Sequence, residues 1–403
     1  MHGRFRTNLL PYQLVFALMA AAIGGIIAVL GELRDEFGFS NTEVGVIVAA
    51  GFLAAFVAQI GLAQFADRGH ARVMATAGLL LSAGALGIMV FVDGLSMWIA
   101  ARAALGFGGG LAFPGLRRAA TVLDPQRVGE NLGRLVVGEV VGFMFGPVVA
   151  GVLVKLGGIR LPFVVFAIAL GALAPMALRL PPDAGRLDTS TRRTAFDLLR
   201  GQRLQAALMF VGGYFMLIGA FEAVLPVMFA DRGASSLTTG IAFMLMAVPV
   251  VFISTAAGRI ADRHGPPRVA TIGITVVALV TMSYGFLPGI VIPVCVMTVV
   301  GAADGFGFLA GQVMVSRAVE EERQAGALGL MGAVEVLGAG VAAIPAALLY
   351  DHAGVEVVWL TMGTTTLAIL GLARLRLRGT SPVSTAVFAD TAVAIEPHAP
   401  LPR

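Results

Sequence analysis

Twelve stretches of this chain are apolar for about 20 residues or more, and no other feature restricts the fold so strongly. They fall at 12–31, 43–65, 72–92, 96–116, 132–154, 160–180, 205–229, 238–259, 268–287, 291–313, 326–348 and 357–376. A helix of about 20 residues crosses a hydrocarbon core of about 30 Å. Helices are expected throughout, because an open strand in lipid leaves backbone groups unpaired. Composition agrees: 58% of residues are apolar, 13% are charged and the mean hydropathy is +0.89. A globular domain carries about 25% charged residues, so this chain has too few to coat a wetted surface. The fold class is an all-α integral membrane protein of twelve transmembrane helices.

The basic residues orient the spans. Of 28 Lys and Arg, 23 lie on one side when loops are assigned alternately, in the two terminal segments, alternate loops and the central segment. The opposite side has Arg34, Lys155, Arg160 and Arg232, and Arg102 falls within the fourth run. The positive-inside rule then puts both termini in the cytoplasm, in a cell inner (plasma) membrane. The positive balance is thus topological and no sign of a nucleic-acid partner. The first run is not taken as a signal peptide, since it is long enough to span and has a later counterpart.

Residues 1–180 and 204–378 form two six-helix units, joined by a polar cytoplasmic linker over 181–203 and followed by a tail, 379–403, expected to be disordered. A shift of 195 or 196 residues superposes several features of the two units. Asp67 and Arg68 meet Asp262 and Arg263, Arg72 meets Arg268, and Gly106 and Gly110 meet Gly301 and Gly305. Arg127 meets Arg323, Leu132-Gly133 meets Leu328-Gly329, and Glu139 meets Glu335. Two like-oriented halves imply a site between them near mid-membrane, opened to each side in turn by rocking.

Over residues 12–376 these features resemble the major facilitator superfamily. Its signature after the second helix, G-x-x-x-D-R-x-G-x-x-R, is matched in full by Gly258, Asp262, Arg263, Gly265 and Arg268. The first-half copy keeps Asp67, Arg68 and Arg72 but has Ala63 for the first Gly and moves the second to Gly69. The resemblance implies that each Asp lies beside a helix N-terminus of the other half, where a carboxylate meets unpaired N–H groups. Arg68, Arg72, Arg263 and Arg268 are then expected to pair with Asp124, Glu130 and Glu320 to Glu322 and hold the cytoplasmic side closed, although ordinary positive-inside charge explains any one of them equally well.

Five ionisable residues fall within the runs: Arg102, Glu139, Glu222, Asp304 and Glu335. Each costs at least about 2.5–3.5 kcal/mol to insert, so each is a functional candidate. The resemblance places the fourth, seventh and tenth helices, with Arg102, Glu222 and Asp304, around the cavity, and ties such an Arg to proton coupling. Glu222 or Asp304 is the expected proton carrier, the alternative being a static buried pair. Glu139 and Glu335 lie nearer the cytoplasmic ends, where snorkelling to water is a simpler explanation. Met19, Phe107, Tyr214 and Phe306 suit an apolar cargo or plain packing.

Gly138, Gly142, Gly146, Pro147 and Gly151 on the fifth run, with Ala150, resemble the G-x-x-x-G-P-x-x-G-G motif of drug–proton antiporters. Glycines four apart make a smooth helix face, and Pro147 loosens the turn before it. The implied function is proton-coupled efflux of small amphipathic or cationic compounds by a monomer. A proton symporter importing a small carboxylate on Arg102 and a non-transporting receptor are the alternatives. No G-x-x-x-x-G-K-[ST] is present and the lone lysine, Lys155, precedes Leu156, which excludes that ATP-binding loop. All five histidines lie outside the predicted helices, which argues against an intramembrane metal or haem site and against an enzyme. No cofactor is expected.

Overall fold

The computed structural model describes residues 9–123, 128–180, 195–320 and 323–378. Each apolar run is a helix. The first six are α1 (Leu10–Phe37), α2 (Asn41–Phe65), α3 (Ala71–Met89), α4 (Leu95–Leu123), α5 (Val128–Gly157) and α6 (Leu161–Leu178). The second six are α7 (Gln202–Asp231), α8 (Ser236–His264), α9 (Pro266–Thr281), α10 (Val291–Ser316), α11 (Gln324–Ala353) and α12 (Val355–Arg378). Eleven of them, and α9 together with the turn that follows it to Phe286, are long and apolar enough to cross a membrane, and the described residues contain no strand.

Most helices overrun their apolar runs. α1 continues to Phe37 and so takes in Glu32, Arg34 and Asp35. A helix satisfies its own backbone in water as in lipid, so the hydrocarbon edge does not terminate it. For the same reason His264 and His352, expected outside the helices, occupy the last turns of α8 and α11. Conversely α9 stops at Thr281, and a single turn at Tyr284–Phe286 completes its run. Linker residues 181–194, Asp124, Arg127, Glu321, Glu322 and the tail from residue 379 lie outside the described residues, whereas Ala195–Arg200 forms a short 3-10 turn.

The two sets of six pack alike. α1 lies on α5, α2 and α3 lie on α4, and α3 lies on α6; α7 lies on α11, α8 and α9 on α10, and α9 on α12. Between the halves α2 meets α11, α5 meets α8 and α1 meets α7. The repeated glycines show why the arrangement recurs. A Cβ added at Gly106 would overlap the Gly51 carbonyl, and one at Gly301 would overlap the Met246 carbonyl. Backbones this close require glycine. The turn between α2 and α3 and that between α8 and α9 both need a positive φ, supplied by Gly69 (+93°) and Gly265 (+85°). The one-place shift of the first-half signature therefore keeps its left-handed residue.

Candidate functional site

The charges at mid-bundle form two groups. Arg102, on α4, is 3% exposed and its Nε has no hydrogen-bond partner. Glu222, on α7 in the other half, lies within electrostatic reach of Arg102, and its Oε2 is buried without a partner. Among the described residues the two make no direct ion pair. At 1.5 Å per residue Glu222 is about 14 Å from the end of α7, and Arg102 about 10 Å from the start of α4. Asp304, on α10, faces the Tyr214 hydroxyl of α7, with Asp304 Oδ1 buried and unpartnered. Tyr214 is 5% exposed and packs in a ring cluster with Phe215 and Phe308.

The second group is the matched pair. Glu139 on α5 accepts a hydrogen bond from Arg117 of α4 at 3.2 Å. Glu335 on α11 lies within electrostatic reach of both Arg117 and Glu139, and its Oε1 has no partner. Arg117 also stands 5.6 Å from the centre of the Phe16 ring. Glu139 is thus ion-paired to a half-exposed arginine.

A cavity of about 120 Å³ lies between the halves. Gly24 and Ile27 of α1, Phe143 and Pro147 of α5, Ile218, Phe221 and Glu222 of α7, and Phe243, Met246 and Ala247 of α8 line it. Of the three helices expected around the cavity only α7 contributes to this wall. Arg102 is buried but does not line it, and Met19 is fully buried in the core. Apart from Glu222 the lining is apolar, with three aromatic rings.

The α5 glycines press on two helices. Cβ atoms at Gly142 and Gly146 would overlap the Ala17 and Ala21 carbonyls of α1, and one at Gly138 would come within 2.9 Å of the Gln13 carbonyl. The residues met on α1 are themselves four apart, so two smooth faces run along each other. One turn further, Gly151 abuts Leu237 of α8, and Gly240 of α8 abuts the Pro147 carbonyl. The motif therefore packs its own half and the boundary with the other. Across the repeat Gly45 of α2, the counterpart of Gly240, abuts Ala343 and Ala347 of α11, with Ala347 standing where the first half has Gly151.

The two ends of the bundle differ. Among the described residues, hydrogen bonds and ion pairs crossing between the halves occur only at the end opposite the termini. Arg34 of α1 bonds Asp231 of α7 at 2.7 Å and Asn41 of α2 at 2.9 Å. Asp351 of α11 accepts from the Asn41 side chain and the Thr42 backbone N–H, both at 2.7 Å. Glu32 accepts from the Ser236 N–H of α8 at 2.6 Å. Two carboxylates thus cap helix N-termini belonging to the opposite half, where the exposed N–H groups attract negative charge.

At the arginine-rich end each half keeps to itself. Arg68 donates to Gln64, and Arg72 to the Leu180 carbonyl. Asp262 pairs with Arg317 at 2.7 Å and Glu130 with Arg134 at 2.6 Å. Arg263 and Arg268 form no ion pair among the described residues, and the Asp67 side chain lies outside them. Among the described residues none of these arginines pairs with Glu130 or Glu320, and the other acids expected as partners, Asp124, Glu321 and Glu322, lie outside them. Arg323, at the start of α11, instead donates twice to Asp197 of the linker, at 2.6 and 2.9 Å. That hydrogen bonding raises its pKa above the ordinary arginine value.

Sequence reasoning missed the Arg34 network, the Arg117 pair and the aromatic lining. Arg34 was visible as one of only four basic residues on its side, with Asp231 ending α7 and Asp351 in the last turn of α11. Phe143, Phe221 and Phe243 carried no signal among 25 phenylalanines.

Known proteins share this architecture. The Major Facilitator Superfamily model matches residues 13–298 and 210–397. A multidrug resistance protein MdtG of Proteus mirabilis is 25% identical over 282 residues, 66% of this chain and 70% of the relative. MdtG of Yersinia enterocolitica is 27% identical over 302 residues, 70% and 72% of the two chains. A bacterial homologue of the human lysosomal transporter Spinster, solved inward-facing and unoccupied, superposes with TM-score 0.79 at 14% identity, over 93% of this chain and 98% of that one. The nucleoside transporter NupG superposes with TM-score 0.70 at 16% identity, covering 93% and 100%. With its twelve apolar helices in two matching sets, the chain belongs to the Major Facilitator Superfamily and is a multi-pass membrane transporter of small molecules.

Proposed function

We propose that the chain is a proton-coupled exporter of small amphipathic or cationic compounds, working by alternating access in the inner (plasma) membrane with both termini in the cytoplasm. The observation that carries this reading is the setting of Glu222. One carboxylate faces an otherwise apolar, ring-lined cavity between the halves, with Arg102 as the charged group acting on it. An ionised carboxylate there is costly unless something compensates it. A proton, the Arg102 guanidinium and a cationic cargo each do so, and they compete. Competition between proton and cargo for one carboxylate, alternately open to each side, is sufficient for antiport.

The 23 basic residues on one side support the orientation. On that assignment the end joined by hydrogen bonds and ion pairs between the halves faces outward. The α5 motif and the multidrug resistance relatives favour efflux. One observation favours import of a carboxylate instead, namely that Arg102 makes no hydrogen bond among the described residues.

Everted vesicles with an acid lumen separate the two. Cationic dyes such as ethidium, added outside, are expected to be taken up and to alkalinise the lumen. A panel of cations that leaves the lumen acid, with a small carboxylate that acidifies it further, overturns the export reading.

A further inference from the structure

Arg102 rests where the neighbouring helix has no side chain. A Cβ built on Gly51 of α2 would lie 2.8 Å from Arg102 Cζ, 2.9 Å from Nε and 3.0 Å from Nη1. The guanidinium therefore fills the space that any larger residue at position 51 would claim. This is a poor bonding site for it: a guanidinium has five N–H donors, and among the described residues none is hydrogen-bonded. Opposite charge draws it toward Glu222, whose Oε2 is also unpartnered. The two attract, yet they do not touch.

The helix crossing does not itself require glycine at position 51. In the second half the same crossing, of α8 on α10, is equally close at Gly301, yet the residue corresponding to Gly51 is Met246. The residue corresponding to Arg102 there is Met297. Gly106 and Gly301 recur because packing needs them. Gly51 occurs only where a guanidinium lies beside it.

We propose that Gly51 is a positioning residue for Arg102: its missing side chain is a notch in α2 that holds the guanidinium off Glu222 in this conformation. Leaving the notch lets Arg102 close onto the carboxylate. This rests on the reading of Glu222 as a proton carrier and adds what governs its partner. Other ionisable groups on helices packed against α7 act elsewhere. Asp304 and Glu335 act on Tyr214, and Arg34, Asp231 and Tyr350 belong to the network at the joined end.

Gly51→Ala tests it. The nearest atoms to the new methyl are the tip of one flexible side chain, so the protein is expected to fold and the guanidinium to move. Infrared titration of the purified full chain, as a difference against the matching Glu222→Gln protein, isolates the protonated-carboxyl band of Glu222. Gly51→Ala is expected to move the midpoint of that band to lower pH by about one unit or more, because a closer cation favours the ionised carboxylate. An unchanged midpoint in a folded variant overturns the proposal while the Glu222 reading stands. A wild-type difference spectrum with no titrating band overturns both. Should Gly51→Ala fold poorly, the double variant with Arg102→Met decides. Restored folding shows that the guanidinium occupies the notch, and continued misfolding overturns the proposal.

Discussion

Gly106 and Gly301 stand 195 residues apart, and each lets one helix backbone touch the carbonyl of another. Arg102, on the same helix as Gly106, corresponds to Met297; Asp304, on the same helix as Gly301, corresponds to Gly109. Arg117, paired with Glu139, corresponds to Gln312, although Glu335 repeats Glu139. The halves thus share their close packing while most of their buried charge is unshared. A contact that recurs in both belongs to the scaffold. A costly charge in one half alone needs another justification, and a transport site between the halves provides it.

The largest effect is expected where the shared packing is broken. Gly142→Leu drives a side chain into the Ala17 carbonyl of α1; overpacking costs about 1–3 kcal/mol and sometimes more. Folded monodisperse protein on size-exclusion chromatography should fall severalfold. Gly171→Leu on α6, where an added Cβ meets nothing within 4 Å, should leave the yield unchanged. Equal losses would break the claim that close glycines make the scaffold.

The unshared charges come next. Glu222→Gln and Asp304→Asn should each keep the fold and lower proton-driven transport tenfold or more. Glu139→Gln, at a shared position, should lower it only a few-fold in the same vesicle assay. An inverted order would place function in the shared pair.

The joined end should respond more mildly. Asp351→Asn weakens charge-assisted bonds to Asn41 and Thr42, contacts of about 1.5–3 kcal/mol when buried and less at this exposed end. Labelling of a cysteine placed in the cavity wall by an impermeant reagent from outside should rise severalfold. The smallest effect belongs to Asp197→Asn, which removes the charge of the half-buried partner of Arg323 and should lower the melting temperature only slightly.

Much of this architecture was legible because lipid leaves few options. Twelve apolar runs fix twelve helices, and the offset of 195 or 196 identified Gly106 and Gly301 before their contacts were seen. The candidate site was less legible for a physical reason. Its charged members stand out in an apolar sequence, as Arg102, Glu222 and Asp304 did. Phe143 and Phe243 look the same whether they face lipid, core or cavity. Gly51 is one of 52 glycines, and only the guanidinium against it distinguishes it. The links expected of the arginines after α2 and α8 fall mostly on acids outside the described residues, Asp124, Glu321 and Glu322.

The central claim is that proton and cargo compete for the unshared carboxylates. Titration calorimetry of an amphipathic cation such as ethidium into the purified protein, in buffers of different ionisation enthalpy, counts the protons exchanged on binding. The account predicts net proton release by the wild type and its loss in Glu222→Gln with Asp304→Asn. Cation binding with no proton released, or with the same release in the double variant, contradicts it.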